Sequence, residues 1–194
     1  MPADRRTILK AILALVLTVL AGYLWWQRNR GHPQRASNER YASASLKNLA
    51  AAESEFRAKD RDGNNVADFW TGDVAGLYRH GALIDRRVAE ADGRPLQPLA
   101  AAPIPVYGYL FIAMDADDSN APPEELRQDT DKKSGKVHHL TKFAFCTYPA
   151  KYGPMGHSTF IINEQRFILR RDTGGKPVLH WPSKAEFPDW SPID

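Results

Sequence analysis

The stretch Leu140–Arg171, LTKFAFCTYPAKYGPMGHSTFIINEQRFILRR, decides the fold class of this 194-residue chain. It contains three short runs rich in aromatic and β-branched residues, separated by proline, glycine and polar residues. Runs of this length and composition are typical of β-strands. Only Glu164 and Gln165 separate the last two runs, which predicts a tight hairpin. The three predicted strands are Leu140–Tyr148, Ser158–Asn163 and Arg166–Arg171.

Two upstream segments complete the predicted domain. Val106–Met114 (VYGYLFIAM) has the same strand-like composition, whereas the prolines of the tail from Trp181 onward predict irregular structure. From Ser37, a suitable N-cap, to Lys59 the chain is rich in Ala, Leu, Glu and Lys, which favours a helix. The sequence therefore predicts an α+β domain in which an amphipathic helix packs on a mostly antiparallel sheet. The apolar stripe of this helix consists of Ala42, Leu46, Leu49 and Phe56.

Ile8–Trp26 (ILKAILALVLTVLAGYLWW) is the only long apolar run in the sequence. A helix of about 20 residues crosses a hydrocarbon core of about 30 Å. The Lys10 side chain is long enough to reach the headgroups, and Tyr23, Trp25 and Trp26 are typical of a membrane interface. The run predicts a transmembrane anchor over residues 8–26.

A cleaved secretory signal is the alternative interpretation of the same run. Arg5, Arg6 and Lys10 would be its charged region, Ala11–Leu20 its apolar core, and the cut would follow Ala21. Cleavage there would leave an apolar, aromatic N-terminus exposed, which favours the anchor. Both interpretations target the chain to a membrane.

The anchor interpretation divides the chain into four parts. Residues 1–7 form a cytoplasmic tail, 8–26 the transmembrane anchor, 27–36 a hinge around Gly31-His32-Pro33, and 37–194 an extracytoplasmic α+β domain. We therefore expect a single-pass protein of the cell membrane. Its predicted partners are the membrane, through the N-terminal helix, and other envelope proteins.

The distribution of charge argues against nucleic acid as a partner. Residues 1–40 hold seven basic and two acidic side chains, whereas residues 41–194 hold 19 basic and 21 acidic ones. The basic pI of about 9.0 therefore comes from the membrane flanks and not from the domain. The single cysteine, Cys146, excludes an intrachain disulfide and lies in a strand-like run, which predicts a buried thiol.

The polar segment Asp115–Lys136 has no apolar periodicity and predicts a long solvated loop. Paired carboxylates occur in it at Asp117-Asp118 and at Glu124-Glu125. In a solvated loop nothing would shift their pKa values.

The loop Asp60–Asp68 (DRDGNNVAD) carries the strongest binding motif in the sequence. Calcium takes six to eight oxygen ligands, and alternate positions of an EF-hand loop direct oxygen-bearing side chains inward. Positions 1, 3, 5 and 9 carry such side chains here, and position 7 offers its carbonyl. The predicted ligands are Asp60, Asp62, Asn64, Val66 and Asp68.

Two positions depart from the EF-hand pattern. Position 6 is Asn65 instead of glycine, and position 12 is Thr71 instead of a bidentate glutamate, which leaves Asp73 as the nearest substitute carboxylate. The loop therefore has two interpretations. A tight turn at a helix end is the simpler one, because Asp, Gly and Asn favour such turns. A weak calcium site is the alternative.

Catalytic motifs are not evident, and we assign no catalytic residue and no cofactor besides calcium. His138 and His139 adjoin at a predicted strand start and would point to opposite faces, which does not suit a shared metal. The remaining alternative is a hydrolase using His157 and Ser158, or a metal site using His138.

Three ordered motifs give the domain a family resemblance. The sequence resembles an uncharacterised family of bacterial exported or membrane-anchored proteins, in which GYxF, PAxYG and TFxxN follow one another. The upstream stretch FRAKDRDGNNVADFW (56–70) belongs to the same resemblance, which spans roughly residues 40–175 and implies no activity. The motifs are Gly108-Tyr109-Leu110-Phe111, Pro149-Ala150 with Tyr152-Gly153, and Thr159-Phe160 with Asn163.

The order of predicted elements is also similar to that of type IV pilins and the pseudopilins of type II secretion, some of which bind calcium in a loop. This resemblance implies a binding module or a component of an envelope or secretion assembly. The chain departs from these families because it lacks their N-terminal cleavage motif and because Pro33 interrupts the continuous helix.

Overall fold

A computed structural model describes residues 14–23, 33–126 and 138–193. The chain separates into two units, Met1–Pro33 and Gln34–Asp194. In the first unit, residues 14–23 are helical and exposed to solvent. The rest of the predicted anchor, the predicted tail 1–7 and residues 127–137 lie outside the described residues.

Among the described residues, no helix is both long enough and apolar enough to cross a membrane.

The second unit is a mixed α+β domain, as predicted. Its main sheet is antiparallel throughout, in the order β1-β4-β5-β6-β8, and a small second sheet has the order β3-β2-β7 with β2 and β7 parallel. A 3₁₀ turn, Phe187–Asp189, precedes the last strand. The helices are α1 (Pro33–Lys59), α2 (Val74–Arg79) and α3 (Arg86–Glu90). The strands are β1 (Tyr109–Ala113), β2 (Ala116–Asp117), β3 (Glu124–Glu125), β4 (Ala144–Pro149), β5 (Ser158–Asn163), β6 (Ile168–Asp172), β7 (His180–Trp181) and β8 (Ser191–Ile193).

Helix α1 carries the predicted apolar stripe. All four predicted stripe residues are at most 1% exposed, and they belong to the main core. The helix begins at Pro33, four residues before the predicted cap at Ser37. A proline suits the first helical position because its fixed φ is helical and its missing N–H would have no partner there. Residues 33–36 of the predicted hinge are therefore helical.

The main sheet is buried on both faces. Successive side chains of a strand point to opposite faces, so Phe145 packs into the core shared with α1, whereas its neighbour Cys146 packs into a second core. Trp181 and Trp190 cover that second core. The predicted burial of Cys146 is confirmed; burial raises the pKa of its thiol to about 12, and Val178 N donates to its sulfur at 3.4 Å.

Three strand boundaries differ from the predicted ones for local reasons. The first strand begins at Tyr109, because Val106 and Tyr109 bond each other across a turn with positive φ at Tyr107. Strand β4 begins at Ala144 and not at Leu140. The backbone N–H groups of Thr141 and Lys142 both donate to His139 Nδ1, which bends the chain before the strand. The loop between β5 and β6 has four residues, 164–167, because β6 begins at Ile168, and it is longer than the tight turn predicted.

Two predicted irregular segments contain strands. The predicted solvated loop Asp115–Lys136 is wrong at its described end, where β2 and β3 pair with each other. The predicted irregular tail is wrong as well, because β7 pairs with β2 and β8 pairs with β6. Two-residue and three-residue strands show no periodicity that a sequence pattern would reveal.

Lys142 joins the carboxylates that we expected to be unperturbed. Its ammonium lies 2.7 Å from Asp117 Oδ2 and 2.6 Å from Glu124 Oε2. Burial alone would raise the pKa of Asp117, but hydrogen bonds from Lys142 and Ser119 outweigh burial, and the pKa is lowered. The hydrogen bond from Lys142 lowers the pKa of Glu124. The expectation of ordinary pKa values for these two carboxylates is therefore wrong.

Truncation of Leu46 in α1 should destabilise the domain strongly. Leu46→Ala removes a fully buried side chain, and we expect it to lower the free energy of unfolding by about 2–5 kcal/mol. Leu140→Ala is the matched control, because Leu140 is 51% exposed, and it should cost less than about 0.5 kcal/mol. Urea unfolding followed by circular dichroism measures both, and equal losses would contradict the packing of α1.

Asp92 should make stability depend on pH. Its buried carboxylate accepts hydrogen bonds from Ala75 N and Arg94 N, both at 2.9 Å, and burial raises its pKa to about 6. Between about pH 4 and pH 6 the folded state keeps a proton that the unfolded state has lost. This group's stabilising contribution, up to about 3 kcal/mol, is therefore complete below about pH 4 and lost as the pH rises through about 6.

Asp92→Asn should reduce that pH dependence, because asparagine carries no proton to lose. Urea unfolding between pH 4 and pH 7 measures the slope in the wild type, in Asp92→Asn and in the exposed control Asp189→Asn. The control should keep the wild-type slope. The assignment fails if Asp92→Asn keeps it too.

Candidate metal centre

The loop that follows α1 is closed by its first predicted ligand. Asp60, Gly63 and Asn65 adopt positive φ values of 45°, 70° and 63°, which turn the chain sharply after the helix end. The Asp60 carboxylate accepts hydrogen bonds from Asn64 N at 3.0 Å and from Asn65 N at 2.9 Å. Asp60 therefore acts as a turn residue, with a backbone donor on each of its oxygens.

Three of the predicted ligands are brought together. The side-chain nitrogen of Asn64 lies 3.0 Å from Asp62 Oδ2 and 3.2 Å from Asp68 Oδ2, so that it bridges the two carboxylates. The side-chain oxygen of Asn64 accepts from Val66 N at 2.7 Å, and the Val66 carbonyl accepts from Asp68 N at 3.1 Å. The structure thus unites Asp62, Asn64 and Asp68 and uses Val66 within the turn.

Sequence reasoning did not join two further residues, Glu53 and His138, to this loop. Glu53 is fully buried, and its Oε2 accepts from Trp70 N at 2.9 Å. The backbone N–H of His138 donates to Asp68 Oδ2 at 2.5 Å, and its Nε2 lies 3.6 Å from Asp62 Oδ2. A signal for Glu53 existed in the sequence, because it follows Leu49 by four residues and lies on the apolar stripe of α1. His138 comes from a distant part of the chain and had no such signal.

The cluster contains buried oxygens that lack hydrogen-bond partners. Within residues 14–23, 33–126 and 138–193, one carboxylate oxygen each of Glu53, Asp62 and Asp68 is buried without a partner. The hydroxyl oxygen of Thr71 is in the same condition. An uncompensated buried polar group costs about 1–3 kcal/mol, and a charged one more, so an unpaired carboxylate calls for a cation or a proton.

Burial raises the pKa values of two carboxylates in the cluster, and a like charge adds to the rise. Burial raises the pKa of Glu53 well above its ordinary value, and the negative charge of Asp68 adds to the rise. Burial also raises the pKa of Asp62 to about 6, again with a contribution from Asp68. Asp68 therefore repels both of the other carboxylates.

The basic side chains next to the loop are engaged elsewhere. Arg61 forms an ion pair with Glu55 at 2.6 Å, and Arg57 Nε donates to the Ala67 carbonyl at 3.0 Å. On the interior side, the ring of Trp70 lies 4.4 Å from that of His138. The cluster is thus bordered by aromatic rings on its interior side. The nearby arginines, Arg57 and Arg61, contact groups outside the cluster.

In residues 14–23, 33–126 and 138–193, no three His, Cys, Asp or Glu side chains are placed so that they could hold a metal ion. The expected substitute ligand Asp73 lies elsewhere. It caps α2 by accepting from Gly76 N at 2.7 Å, accepts from Leu96 N at 2.7 Å, and pairs with Arg79 at 2.7 Å.

The other candidate residues make separate contacts. His139 Nε2 lies 3.1 Å from Glu124 Oε1, so His138 and His139 face different carboxylates. The backbone N–H groups of His157 and Ser158 both donate to the Glu39 carboxylate, at 2.9 Å and 3.2 Å. These contacts join the segment before β5 to α1.

The family relationship covers nearly the whole α+β domain. A family model described as "Protein of unknown function (DUF2950)" matches residues 33–189, which run from the first residue of α1 to the 3₁₀ turn. The chain belongs to this family. No curated protein and no solved structure matches the chain. Membership of an uncharacterised family agrees with the coarser part of the resemblance described above, and the likeness to pilins stays a prediction.

Proposed function

We propose that the chain is a divalent-cation-binding module that takes calcium, with low affinity, at the Asp60–Asp68 loop. The observation that carries the proposal is a cluster of three carboxylates, the buried Glu53 and Asp68 and the half-buried Asp62, each with one buried oxygen that lacks a hydrogen-bond partner among the described residues. Oxygen donors in a flexible loop match the coordination chemistry of calcium.

Asn64 marks the position of the ion in this proposal. Its side-chain nitrogen bridges the carboxylates of Asp62 and Asp68, where a cation would attract both. An ion at this position would require the amide to turn over, so that its oxygen and not its nitrogen faces the ion. Glu53, Asp62, Asn64 and Asp68 would hold the ion only after such a rearrangement, because no preformed three-ligand centre exists among the described residues.

The ligand set supports a low affinity. Asp60 and Val66 are used by the turn, and position 12 of the loop is Thr71, so fewer charged ligands remain than in a high-affinity EF-hand. Calcium sites of extracellular modules have dissociation constants of about 10⁻⁴–10⁻³ M, and we place this site in that range.

The tight-turn alternative explains only part of the geometry. It accounts for Asp60, whose two oxygens accept backbone N–H groups of the turn. A turn does not require the fully buried Glu53 behind it, nor the unpartnered oxygens of Asp62 and Asp68. These features favour a bound cation.

Calcium should raise the melting temperature of the protein. With calcium at ten times the dissociation constant, binding adds about 1.4 kcal/mol and should raise Tm by about 3–6 °C relative to a chelator. Magnesium at the same concentration should give a smaller shift, because it prefers a rigid octahedron and keeps its waters. Zinc is included in the same assay, and a larger shift with zinc than with calcium would overturn the choice of ion.

Asp62→Asn separates the cation site from the turn. The variant keeps one side-chain oxygen but removes a charge, so its Tm in chelator should equal or exceed that of the wild type while the calcium shift is lost. Asp118→Asn, outside the loop, is the matched control and should keep the shift. Absence of a shift in the wild type, or an undiminished shift in Asp62→Asn, would refute the site.

We also propose that the N-terminal unit tethers this module to a membrane. The described helical residues 14–23 expose a series of apolar side chains to solvent, including Leu15 (66%), Leu17 (59%) and Val19 (65%). An apolar helical surface of this kind is unfavourable in water and suits a lipid environment. The domain would then lie outside the cytoplasm, where calcium is abundant enough for a low-affinity site.

Fractionation tests the tether. The full chain should sediment with membranes and resist alkaline extraction, because an inserted helix is held by apolar burial and not by charge. A chain that begins at Pro33 should appear in the soluble fraction and keep the melting temperature of the domain. The mass of the full-length product distinguishes a retained anchor from a cleaved signal, and recovery of the full-length chain from the soluble fraction would refute the tether.

A further inference from the structure

A cleft opens on the face of the main sheet that α1 does not cover. Its volume is about 510 Å³, within the range of about 300–1,000 Å³ that is usual for small-molecule sites. Leu169 of β6 and Trp181 of β7 line its interior and are nearly fully buried. The cleft is distinct from the cation cluster, and the two share no residue.

Two exposed phenylalanines line the cleft from different elements. Phe167, in the β5–β6 hairpin loop, is 63% exposed, and Phe187, in the 3₁₀ turn, is 47% exposed. Burial of a phenylalanine ring stabilises a protein, and two exposed rings at one cleft leave that stabilisation available to a ligand. Aromatic rings displayed in this way are typical of ligand-binding surfaces.

The cleft carries an excess of negative charge. Its one lysine, Lys142, is paired with Asp117 at 2.7 Å and with Glu124 at 2.6 Å. Glu164 also lines the cleft, and no salt bridge of this carboxylate is found within residues 14–23, 33–126 and 138–193. Burial raises the pKa of Glu164, which a cationic ligand group would counteract. The charge therefore favours a ligand that brings a positive group.

Amide groups supply the neutral polar contacts. Asn163, at the end of β5, and Gln165, in the hairpin loop, both line the cleft. Amide side chains offer donors and acceptors together, which is the combination that neighbouring hydroxyl groups of a ligand require.

We propose that this cleft binds an amine-bearing oligosaccharide. A pyranose ring presents an apolar face of C–H groups that packs flat on an aromatic ring, as Phe167 and Phe187 would allow. Its hydroxyl groups lie around the ring edge and suit the amides of Asn163 and Gln165. An ammonium substituent complements the carboxylate of Glu164. The same cleft suits a neutral sugar less well, because a neutral sugar would bring no positive group to the Glu164 carboxylate.

Calorimetric titration of the full chain with the trimer of glucosamine tests the proposal. We expect saturable binding, and a dissociation constant at least about tenfold weaker for the N-acetylated trimer, which carries no charge. Added salt should weaken binding of the glucosamine trimer more than that of the acetylated one. Lack of binding at millimolar trimer, or equal affinity for the two trimers, would overturn the proposal.

Two variants and a control locate the binding. Phe167→Ala and Glu164→Gln should each weaken binding of the glucosamine trimer at least about tenfold, and Glu164→Gln should also reduce the preference over the acetylated trimer. Tyr41→Ala, which removes an aromatic ring 48% exposed on α1, should bind like the wild type. Melting curves check that each variant is folded. Wild-type affinity in Phe167→Ala or in Glu164→Gln would overturn the placement of the ligand.

Discussion

The burial of the main sheet on both of its faces is the constraint on which the rest of the structure depends. The inner positions of β1, β4, β5 and β6 alternate between two cores, so each face must be covered by another part of the chain. Helix α1 covers one face with a continuous stripe. The other face is covered by separate short pieces, namely the small sheet and the tail with its tryptophans. The carboxylates of Glu53, Asp62 and Asp68 lie near the C-terminal end of α1, and the cleft lies between the small sheet and the tail.

One face of the main sheet is covered by a single long helix and the other by short separate segments. This difference explains which elements could be predicted from the sequence. Periodic elements were predicted because each shows its pattern within one segment, as the stripe of α1 and the strand Ser158–Asn163 do. The segments that cover the second face were not predicted as strands. The reason is that β2, β3 and β7 have two residues each and are stable only through their partner strands. The cleft could not be predicted for the same reason, since Phe167 and Phe187 meet at it only after the tail has folded back.

The sequence pattern predicted some residues of the candidate cation site and not others. The loop spacing led to Asp62, Asn64 and Asp68, because alternate positions of a tight loop point inward. It did not lead to Glu53, which looks like a surface charge when composition alone is considered. Its place four residues after Leu49 puts it on the buried stripe, and a charged residue at such a position indicates a specific partner.

Asp73 is a buried carboxylate with a full set of hydrogen-bond partners, and it differs in this respect from Glu53 and Asp68. Asp73 is as deeply buried as Asp68, yet its carboxylate receives N–H groups from Gly76 and Leu96 and the guanidinium of Arg79. The fold is therefore able to satisfy a buried carboxylate completely with its own groups. Glu53 and Asp68 lie about as deep, repel each other, and each keep an oxygen without a hydrogen-bond partner among the described residues. A proton or a cation shared by these carboxylates would account for that contrast, and the proposed calcium ion is the cation that an oxygen-rich loop favours.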